Sequence, residues 1–336
     1  MELDTEELAR FRRQTLSCWY LTGATASGKS RIGITLARRL GAEIISLDSM
    51  AIYREMDIGT SKVMPEDRLG IPHHMIDVVD PSVEYSLARY VNAARDKIDE
   101  IQLRGKKVLF VGGTPLYLKA MLRGIFEGPS ADNAFRTQLL RKVEGRSADY
   151  LHNMLKKIDA VSAKRLHPND TRRIVRALEV YEITGKPISY YQKQFEVGAD
   201  AAECHVYVLQ TPREILYAQI DKRVDKMIYE GFLDEVKKLK DRKQPVSKTA
   251  RQALGYKELF DYLDSKLKYG EAVNLIKQNT RRFAKHQETW FKSLCECRFT
   301  PAEKPEFDIE GELDDEELEN EINSIDENDD DEIIDE

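Results

Sequence analysis

Apolar and polar positions alternate with two different periods over the first 120 residues, and this pattern predicts strands and helices in turn. Three short apolar runs have the length of buried strands: "CWYLTG", "AEIISLDS" and "KKVLFVGG". Residues 29–41 and 86–105 repeat their apolar positions at helical spacing, and both segments end at a glycine, which is typical of a helix C-terminus. This alternation indicates an α/β fold with a parallel sheet covered by helices.

The pattern changes after about residue 130. Long charged segments such as "DTRRIVRALEVYEITG" have helical spacing, and no strand-like run follows until "CHVYVLQ". Helical segments then continue to about Leu294. We therefore predict a helical insertion within the α/β core. The predicted parts are an N-terminal extension (1–16), the first part of the core (17–129), the insertion (130–198), the return of the core with C-terminal helices (199–300) and an acidic disordered tail (301–336).

Charge is distributed unevenly along the chain. The 336 residues have a net charge of −7, but residues 301–336 hold 19 acidic residues and one lysine, so residues 1–300 carry a net charge of +11. A basic body is compatible with a polyanionic partner, and also with an ordinary solvated surface. The acidic tail has few aromatic residues, which is typical of disorder. It could aid solubility, bind a partner or screen the basic surface.

The composition excludes several classes of protein. No run of eighteen apolar residues occurs, and the charged N-terminus lacks the apolar core of a signal peptide. Four cysteines are too few for a disulfide framework, so we expect a cytoplasmic protein with reduced thiols and no membrane contact. Cys295 and Cys297 lack the spacing of a zinc finger. His73 and His74 are expected to pack in a loop rather than bind a metal.

The segment "GATASGKS", Gly23 to Ser30, matches the phosphate-binding pattern G-x-x-x-x-G-K-[ST]. Its backbone N–H groups and the following helix N-terminus form a positive concavity, to which Lys29 adds a charge. The Ser30 hydroxyl can ligate Mg²⁺. Its place between a strand and a helix favours a P-loop NTPase-like core over a glycine turn without a ligand.

An enzyme that hydrolyses nucleotides also needs an acidic residue at the end of a buried strand. The candidate strand "KVLFVGGT" ends in Gly-Gly-Thr instead. Asp48 is the acidic candidate, either as a metal ligand, as a general base or as a cap of the next turn. The loop, Asp48 and Gly112–Thr114 all follow predicted parallel strands, so we expect them to lie at one edge of the sheet.

Several longer strings, in this order and spacing, resemble the tRNA isopentenyltransferase (tRNA dimethylallyltransferase) family. They are "GATASGKS", "ISLDSMAIYREMDIGTSK", "IPHHMIDVVDP", "VGGTPLYLKA", "HPNDTRRIVRALEVYEITGKP", "LGYKEL" and "TRRFAKHQETWF". The resemblance covers roughly residues 17–295. It implies transfer of a dimethylallyl group from dimethylallyl diphosphate to the exocyclic N6 amine of the adenosine 3′ of the anticodon, in tRNAs that read codons beginning with U. It also implies a cytoplasmic enzyme, and a monomer is the simplest expectation.

The resemblance implies that the loop holds the diphosphate of the prenyl donor. Asp48 matches the family's general base, and Thr114 matches a threonine near the reacting atoms, although it could equally cap the next helix. Arg223 matches an arginine that stabilises the diphosphate; without the resemblance it reads as a surface helix cation. The implied catalytic residues are Lys29, Ser30 (with Mg²⁺), Asp48, Thr114 and Arg223. The implied diphosphate-binding residues are Gly23, Ala24, Thr25, Ala26, Ser27, Gly28, Lys29 and Ser30.

The resemblance also implies contacts with the tRNA anticodon stem-loop, because the target base must leave its stack. The implied residues are Asp48, Ser49, Met50, Ala51, Thr114, Arg136, Arg172, Arg173, Arg176, Gln252, Gly255, Tyr256, Lys257, Thr280, Arg281, Arg282, Lys285 and Gln287. Two of these segments depart from the family: Ala51 stands where Gln is frequent, and His286 where Arg is common. Both departures concern RNA contacts rather than the chemistry.

Three other functions stay open at this point. An adenylate isopentenyltransferase would prenylate free AMP, ADP or ATP, but it has no need of the helical insertion or of "TRRFAKHQ". A small-molecule P-loop kinase would turn over ATP. An RNA-binding module with a vestigial phosphate loop is disfavoured, because Lys29, Ser30, Asp48 and Thr114 are all intact.

Overall fold

The structure is a computed structural model that describes residues 5–126, 128–147, 149–195 and 198–309. Contacts divide the chain into two compact units. The first comprises the described parts of residues 1–11 and 123–198, and the second those of residues 12–122 and 199–336. Within the described ranges, no helix is long and apolar enough to cross a membrane.

The second unit is built on a parallel sheet. Its strands are β1 (Trp19–Gly23), β2 (Ala42–Ser46), β3 (His73–His74), β4 (Lys107–Val111), β5 (His205–Gln210) and β6 (Arg298–Pro301). Among the described residues these strands form a six-stranded sheet in the order β3-β2-β4-β1-β5-β6, with every pairing parallel. The parallel sheet, with helices between its strands, confirms the α/β fold predicted from the alternating pattern.

Helices follow the strands and fill the insertion. In chain order they are α1 (Thr5–Leu16), α2 (Lys29–Leu40), α3 (Leu87–Leu103), α4 (Pro115–Arg123), α5 (Asn133–Val143), α6 (Asp149–Ile158), α7 (Ala160–Arg165), α8 (Thr171–Thr184), α9 (Ile188–Gln192), α10 (Arg213–Tyr229), α11 (Phe232–Lys240), α12 (Lys248–Arg251), α13 (Tyr256–Leu263) and α14 (Tyr269–Lys292). The predicted stop of α2 is confirmed, because Gly41 adopts the left-handed conformation (φ 60°) and caps the helix.

Two large apolar clusters contribute to the core of the second unit. One joins α2 to the sheet through buried residues such as Ile32, Leu36 and Leu109. The other packs α10, α11, α13 and α14 around the loop after β2, with Tyr53, Phe232 and others fully buried. Burial of this much apolar surface is the main force that keeps the strand ends in place.

The first unit has its own core. Helices α5, α6, α7 and α8 contribute apolar residues to one cluster, in which Leu155 and Ile174 are fully buried. The described part of residues 130–198 contains helices and turns, as the helical spacing predicted.

The sequence pattern missed two strands. β3 is only two residues long, and β6 lies at the edge of the sheet beside β5. The predicted start of the disordered tail at residue 301 is wrong for residues 301–309. Phe307 packs edge-on against Tyr207, and the Asp308 N–H donates to the Tyr207 hydroxyl at 2.9 Å. The acidic composition suggested disorder, but the Phe307 ring and the Asp308 backbone both have a partner on β5. Residues 310–336 of the predicted tail lie outside the described residues.

Candidate active site

The phosphate loop lies between β1 and α2, as its sequence predicted. Gly28 precedes the first residue of α2 in the left-handed conformation (φ 79°), which glycine adopts without strain. The loop packs through Ala24 and Ala26 against α10 and α14, where it meets Leu216, Ile220 and Ala284. The N-terminus of α2 thereby presents its N–H groups at the carboxyl edge of the sheet.

Lys29 is the first residue of α2, and its ammonium donates a hydrogen bond to the carbonyl of Ala24 within the loop. Burial lowers the pKa of Lys29 to about 7, with a further contribution from the nearby Arg223 cation, while the Asp48 carboxylate opposes both. Three charged groups from distant parts of the chain are therefore close enough to affect one another.

Asp48 lies two residues beyond the end of β2. Its Oδ1 atom accepts hydrogen bonds from the backbone N–H groups of Met50 (2.7 Å) and Ala51 (3.1 Å). Within the described ranges, no hydrogen bond to Oδ2 is found. The carboxylate therefore caps the following turn through Oδ1, as one of its sequence-based interpretations expected, and it stays partly exposed.

Thr114 connects the ends of β2 and β4. Its backbone N–H donates to the Leu47 carbonyl at 3.2 Å, and its hydroxyl accepts from the Ser49 N–H at 3.2 Å. The carbonyl of Thr114 also accepts the first hydrogen bonds of α4, from Tyr117 and Leu118. Thr114 therefore begins a helix with its backbone, and its side chain holds the segment that carries Asp48.

Arg223 projects from α10 towards the phosphate loop rather than into solvent. Its Nε donates to the Ser61 hydroxyl at 2.7 Å, and its Nη1 lies 3.5 Å from the Thr25 hydroxyl. Burial lowers the pKa of the guanidinium and the Asp48 carboxylate opposes the shift. The guanidinium is therefore held beside the phosphate loop by contacts within the protein.

The segment that presents Ser61 is firmly held, and no role was predicted for it from the sequence. The Glu235 carboxylate accepts from the backbone N–H groups of Asp57 (2.9 Å), Ile58 (2.8 Å) and Gly59 (3.2 Å). Lys62, whose side chain is 2% exposed, forms ion pairs with Asp57 and Asp77. The segment "DIGTSK" is part of a string that resembles the family, but its contact with Glu235 could not be predicted, because the two are about 180 positions apart in the chain.

Comparison with known proteins shows which family the chain resembles. The model of the family described as IPP transferase matches residues 51–294. The chain belongs to the IPP transferase family. The matched residues begin after the phosphate loop and cover most of the second unit and the whole helical insertion.

Two relatives are identical to the chain at nearly half of their aligned positions. The tRNA dimethylallyltransferase of Carboxydothermus hydrogenoformans is 49% identical over 273 residues, which is 81% of this chain and 88% of the relative. The enzyme of the same name from Pelotomaculum thermopropionicum is 46% identical over 284 residues, 84% of this chain and 90% of the relative.

Solved structures from the family have the same fold. The full-length tRNA isopentenylpyrophosphate transferase from Bacillus halodurans is 36% identical with a TM-score of 0.63, covering 94% of this chain and 99% of its own. A eukaryotic dimethylallyltransferase acting on tRNA is 30% identical with a TM-score of 0.71, covering 85% of this chain and 73% of its own.

Four of the residues expected to contact tRNA are buried in the structure. Ala51 (6% exposed) and Gly255 lie within packed turns. Tyr256 is fully buried and donates to the Glu235 carboxylate at 2.6 Å. Gln287 is 3% exposed and bonds to two loops of the protein. Several of their sequence neighbours, such as Gln252, Lys257 and Lys285, are exposed.

The remaining members of these segments in the second unit are at least partly exposed. Arg281 pairs with Asp221, and Lys257 pairs with Asp261 at 2.9 Å. Gln252, Arg282 and Lys285 are exposed. Three other residues, Ser49, Met50 and Thr280, are half-buried. These residues stay candidates for RNA contact.

The arginines of the insertion fall into two groups. Arg136 (2.8 Å) and Arg176 (2.6 Å) both pair with the Glu179 carboxylate, which is fully buried. Although burial by itself raises it, the pKa of Glu179 is held below its ordinary value by these two arginines. Arg172 is exposed, and Arg173 pairs with Asp170 at 3.2 Å near the start of α8. Arg172 and Arg173 are thus better placed than the other pair to meet a phosphate.

Replacing Glu179 with Ala should destabilise the protein by about 1–3 kcal/mol, because the substitution leaves the Asp132 N–H and two guanidinium groups without their acceptor. Denaturant unfolding followed by circular dichroism measures this change. Glu182→Ala, at an exposed position of the same helix, is the matched control and should change stability little. Unchanged stability with weaker RNA binding would instead assign Arg136 and Arg176 to the RNA.

Within the described residues, no group of three or more His, Cys, Asp or Glu side chains is arranged to hold a metal ion. Oxygen donors of another kind are present in the loop. The Ser30 hydroxyl is exposed at the start of α2, and the buried Ser27 Oγ has no hydrogen-bond partner. Such hydroxyls suit Mg²⁺, which prefers oxygen ligands and takes most of them from phosphate and water.

Proposed function

We propose that this protein transfers a dimethylallyl group from dimethylallyl diphosphate to the exocyclic N6 amine of the adenosine on the 3′ side of the anticodon in tRNA. One observation carries the proposal: a diphosphate cradle and a carboxylate lie at the ends of nearby strands, while β4 ends in Gly112, Gly113 and Thr114 without an acid. The names of the relatives, tRNA dimethylallyltransferases, agree with it.

The donor's diphosphate is proposed to lie on the N-terminus of α2. Charge develops on its oxygens as the bond to the allylic carbon breaks, so fixed cations and N–H groups lower the barrier. Lys29 and Arg223 are the cations at this point, and the loop amides supply the N–H donors. The Ser61 hydroxyl orients the guanidinium through its Nε and Nη1 lies near the Thr25 hydroxyl, which leaves Nη2 for an oxygen of the ligand.

Magnesium is proposed as the cofactor, held by the Ser30 hydroxyl together with diphosphate oxygens. When bound there, Mg²⁺ would neutralise part of the charge of the leaving group. The loop N–H groups and the Lys29 and Arg223 cations would hold the diphosphate in one orientation.

The acceptor side of the site is proposed to centre on Asp48. The N6 nitrogen forms the new bond to the allylic carbon as the carbon–oxygen bond breaks, and diphosphate leaves with the bonding electrons. The proton lost from N6 passes to the Asp48 carboxylate, whose Oδ2 is available. Thr114 is proposed to hold this arrangement, because its hydroxyl bonds to the residue next to Asp48.

The tRNA anticodon stem-loop is the proposed partner. Exposed basic residues on α14, Arg282 and Lys285, can contact its phosphates, as can Arg172 and Arg173 of the insertion. We expect the protein to act as a monomer, which light scattering would test.

Transfer of radiolabel from dimethylallyl diphosphate to RNA tests the proposal. The substrates are an anticodon stem-loop with adjacent adenosines, the same stem-loop with guanosine at the target position, and free AMP. We expect label only in the first, and only with Mg²⁺ present. Efficient labelling of AMP would identify an adenylate prenyltransferase, and ATP turnover without prenyl transfer would identify a kinase.

Binding of diphosphate is expected to weaken as pH rises above 7. The pKa of Lys29 is lowered to about 7 in the free protein, and a bound anion must raise it, so binding above pH 7 takes up a proton. Affinity for Mg²⁺–pyrophosphate should then fall by up to about tenfold per pH unit. Calorimetry at pH 8 in two buffers of different ionisation enthalpy measures the uptake, which should approach about one proton.

Lys29→Arg is the matched control for this prediction, since an arginine stays protonated throughout the range. It should remove the contribution of residue 29 to proton uptake. Equal heats in the two buffers for the unmodified protein would show that Lys29 already carries its proton at pH 8.

A further inference from the structure

Gln287 on α14 connects two loops of the active site. Its side-chain carbonyl Oε1 accepts from the Thr25 N–H at 2.9 Å, and its Nε2 donates to the Gly113 carbonyl at 2.5 Å. The side chain is 3% exposed. Thr25 belongs to the phosphate loop after β1, and Gly113 follows β4, so one amide group joins the ends of two neighbouring strands.

The chemistry of this bridge is specific to an amide. One end of the group must accept a hydrogen bond and the other must donate one, and a glutamine provides both on one plane. A glutamate of the same shape could accept from Thr25, but it would place a negative oxygen against the Gly113 carbonyl. A Cβ atom at Gly113 would lie 2.6 Å from Nε2, so the close approach requires glycine there.

The two bridged loops belong to opposite sides of the proposed reaction. On the donor side, the Thr25 hydroxyl lies 3.5 Å from Nη1 of Arg223. On the acceptor side, Gly113 precedes Thr114, whose hydroxyl is bonded to the Ser49 N–H. The side chain of Lys29 passes close to the bridge, since a Cβ at Gly113 would lie 3.6 Å from its Cε.

We propose that Gln287 is a positioning residue for prenyl transfer, which fixes the diphosphate cradle relative to the Gly113–Thr114 segment. The expected effect on kcat rests on the proposed function, whereas the hydrogen bonds of the bridge are present in the structure whatever the function is. Gln287 touches neither the donor nor the target base in this assignment. Its effect passes through Thr25 and Gly113, and it replaces the RNA contact that the sequence motif suggested.

Kinetics of Gln287→Ala and Gln287→Glu test the proposal. Both variants should lower kcat by about 10- to 100-fold, because displacement of reacting groups by about 1 Å has an effect of that size. The dissociation constant for the anticodon stem-loop should stay within about twofold, since the side chain is buried. Gln278→Ala, at an exposed position of the same helix, is the matched control and should leave all constants unchanged.

Gly113→Ala breaks the same bridge from its other end. If the bridge is the unit that acts, Gly113→Ala with Gln287→Ala should lose little more activity than either single variant. Losses that multiply would overturn the proposal. So would weaker RNA binding with an unchanged kcat at saturating RNA, because that result assigns Gln287 to the RNA surface.

A second measurement does not depend on turnover. Hydrogen exchange of the Thr25 amide should accelerate in Gln287→Ala and not in Gln278→Ala, and affinity for Mg²⁺–pyrophosphate should fall with it. Unchanged exchange and affinity would overturn the bridge. An unmodified protein that transfers no prenyl group would overturn the proposed function alone, since these two measurements would still decide the role of Gln287.

Discussion

Replacing Asp48 with Asn is expected to lower kcat for prenyl transfer by about 10²- to 10⁴-fold, the range for loss of a general base. The substitution keeps an oxygen that can accept from the N–H groups of Met50 and Ala51, so the turn after β2 should persist. It removes the group that takes the proton from N6. It also removes the negative charge that faces Lys29 and Arg223. Single-turnover transfer to the stem-loop, with RNA affinity measured separately, gives the result.

The control for this experiment is Asp67→Asn, which changes an exposed carboxylate of the same unit and should leave transfer unchanged. RNA affinity of Asp48→Asn should stay within about twofold of the unmodified protein, because its role is in the chemistry. Equal losses of RNA binding and turnover would demote Asp48 to a structural residue that shapes the turn.

Replacing Arg223 with Ala is the second substitution with a large expected effect. We expect kcat to fall by about 10²- to 10³-fold, as for removal of one preorganised donor to a developing anion. The KM for dimethylallyl diphosphate should rise as well, since the cation also meets the ground-state diphosphate. Steady-state kinetics at saturating RNA separate the two effects.

A lysine at this position tests the geometry of the guanidinium. Arg223→Lys keeps the charge but loses the planar fork that reaches Ser61 and Thr25, so it should recover KM more than kcat. Lys222→Ala, the exposed neighbour on α10, is the matched control. Full activity of Arg223→Ala would show that Arg223 does not take part in transfer and is an ordinary cation of α10.

Much of the fold follows from local pattern. The three apolar runs became β1, β2 and β4, and the glycine stop of α2 lies where its spacing placed it. The order of the sheet then brings the ends of these strands together, because β4 lies between β2 and β1. The prediction that the phosphate loop, Asp48 and Gly112–Thr114 share one edge is confirmed by this order. Strands β3 and β6 were not predicted, because a run of two to four residues is too short to show a periodic pattern.

Burial separated residues that the family motifs had grouped together. In "QALGYK" the Gln252 and Lys257 side chains are exposed while Tyr256 is buried, and in "TRRFAKHQ" Arg282 and Lys285 are exposed while Gln287 is buried. A helix shows different faces to core and solvent within one turn, so adjacent letters of a motif can have opposite roles. The sequence alone could not decide which face was which.

The chain's own sequence determined the parts of the site that depend on neighbouring residues. A glycine-rich turn followed by Lys29 and a helix presents its N–H groups wherever that segment folds, because the donors belong to the local backbone. Only the tertiary structure decided which distant groups complete it. Thr25 and Gln287 are 262 positions apart, and Arg223 and Ser61 are 162 apart. Such pairs meet because apolar packing brings α10 and α14 against the loop, and packing is a property of the whole fold.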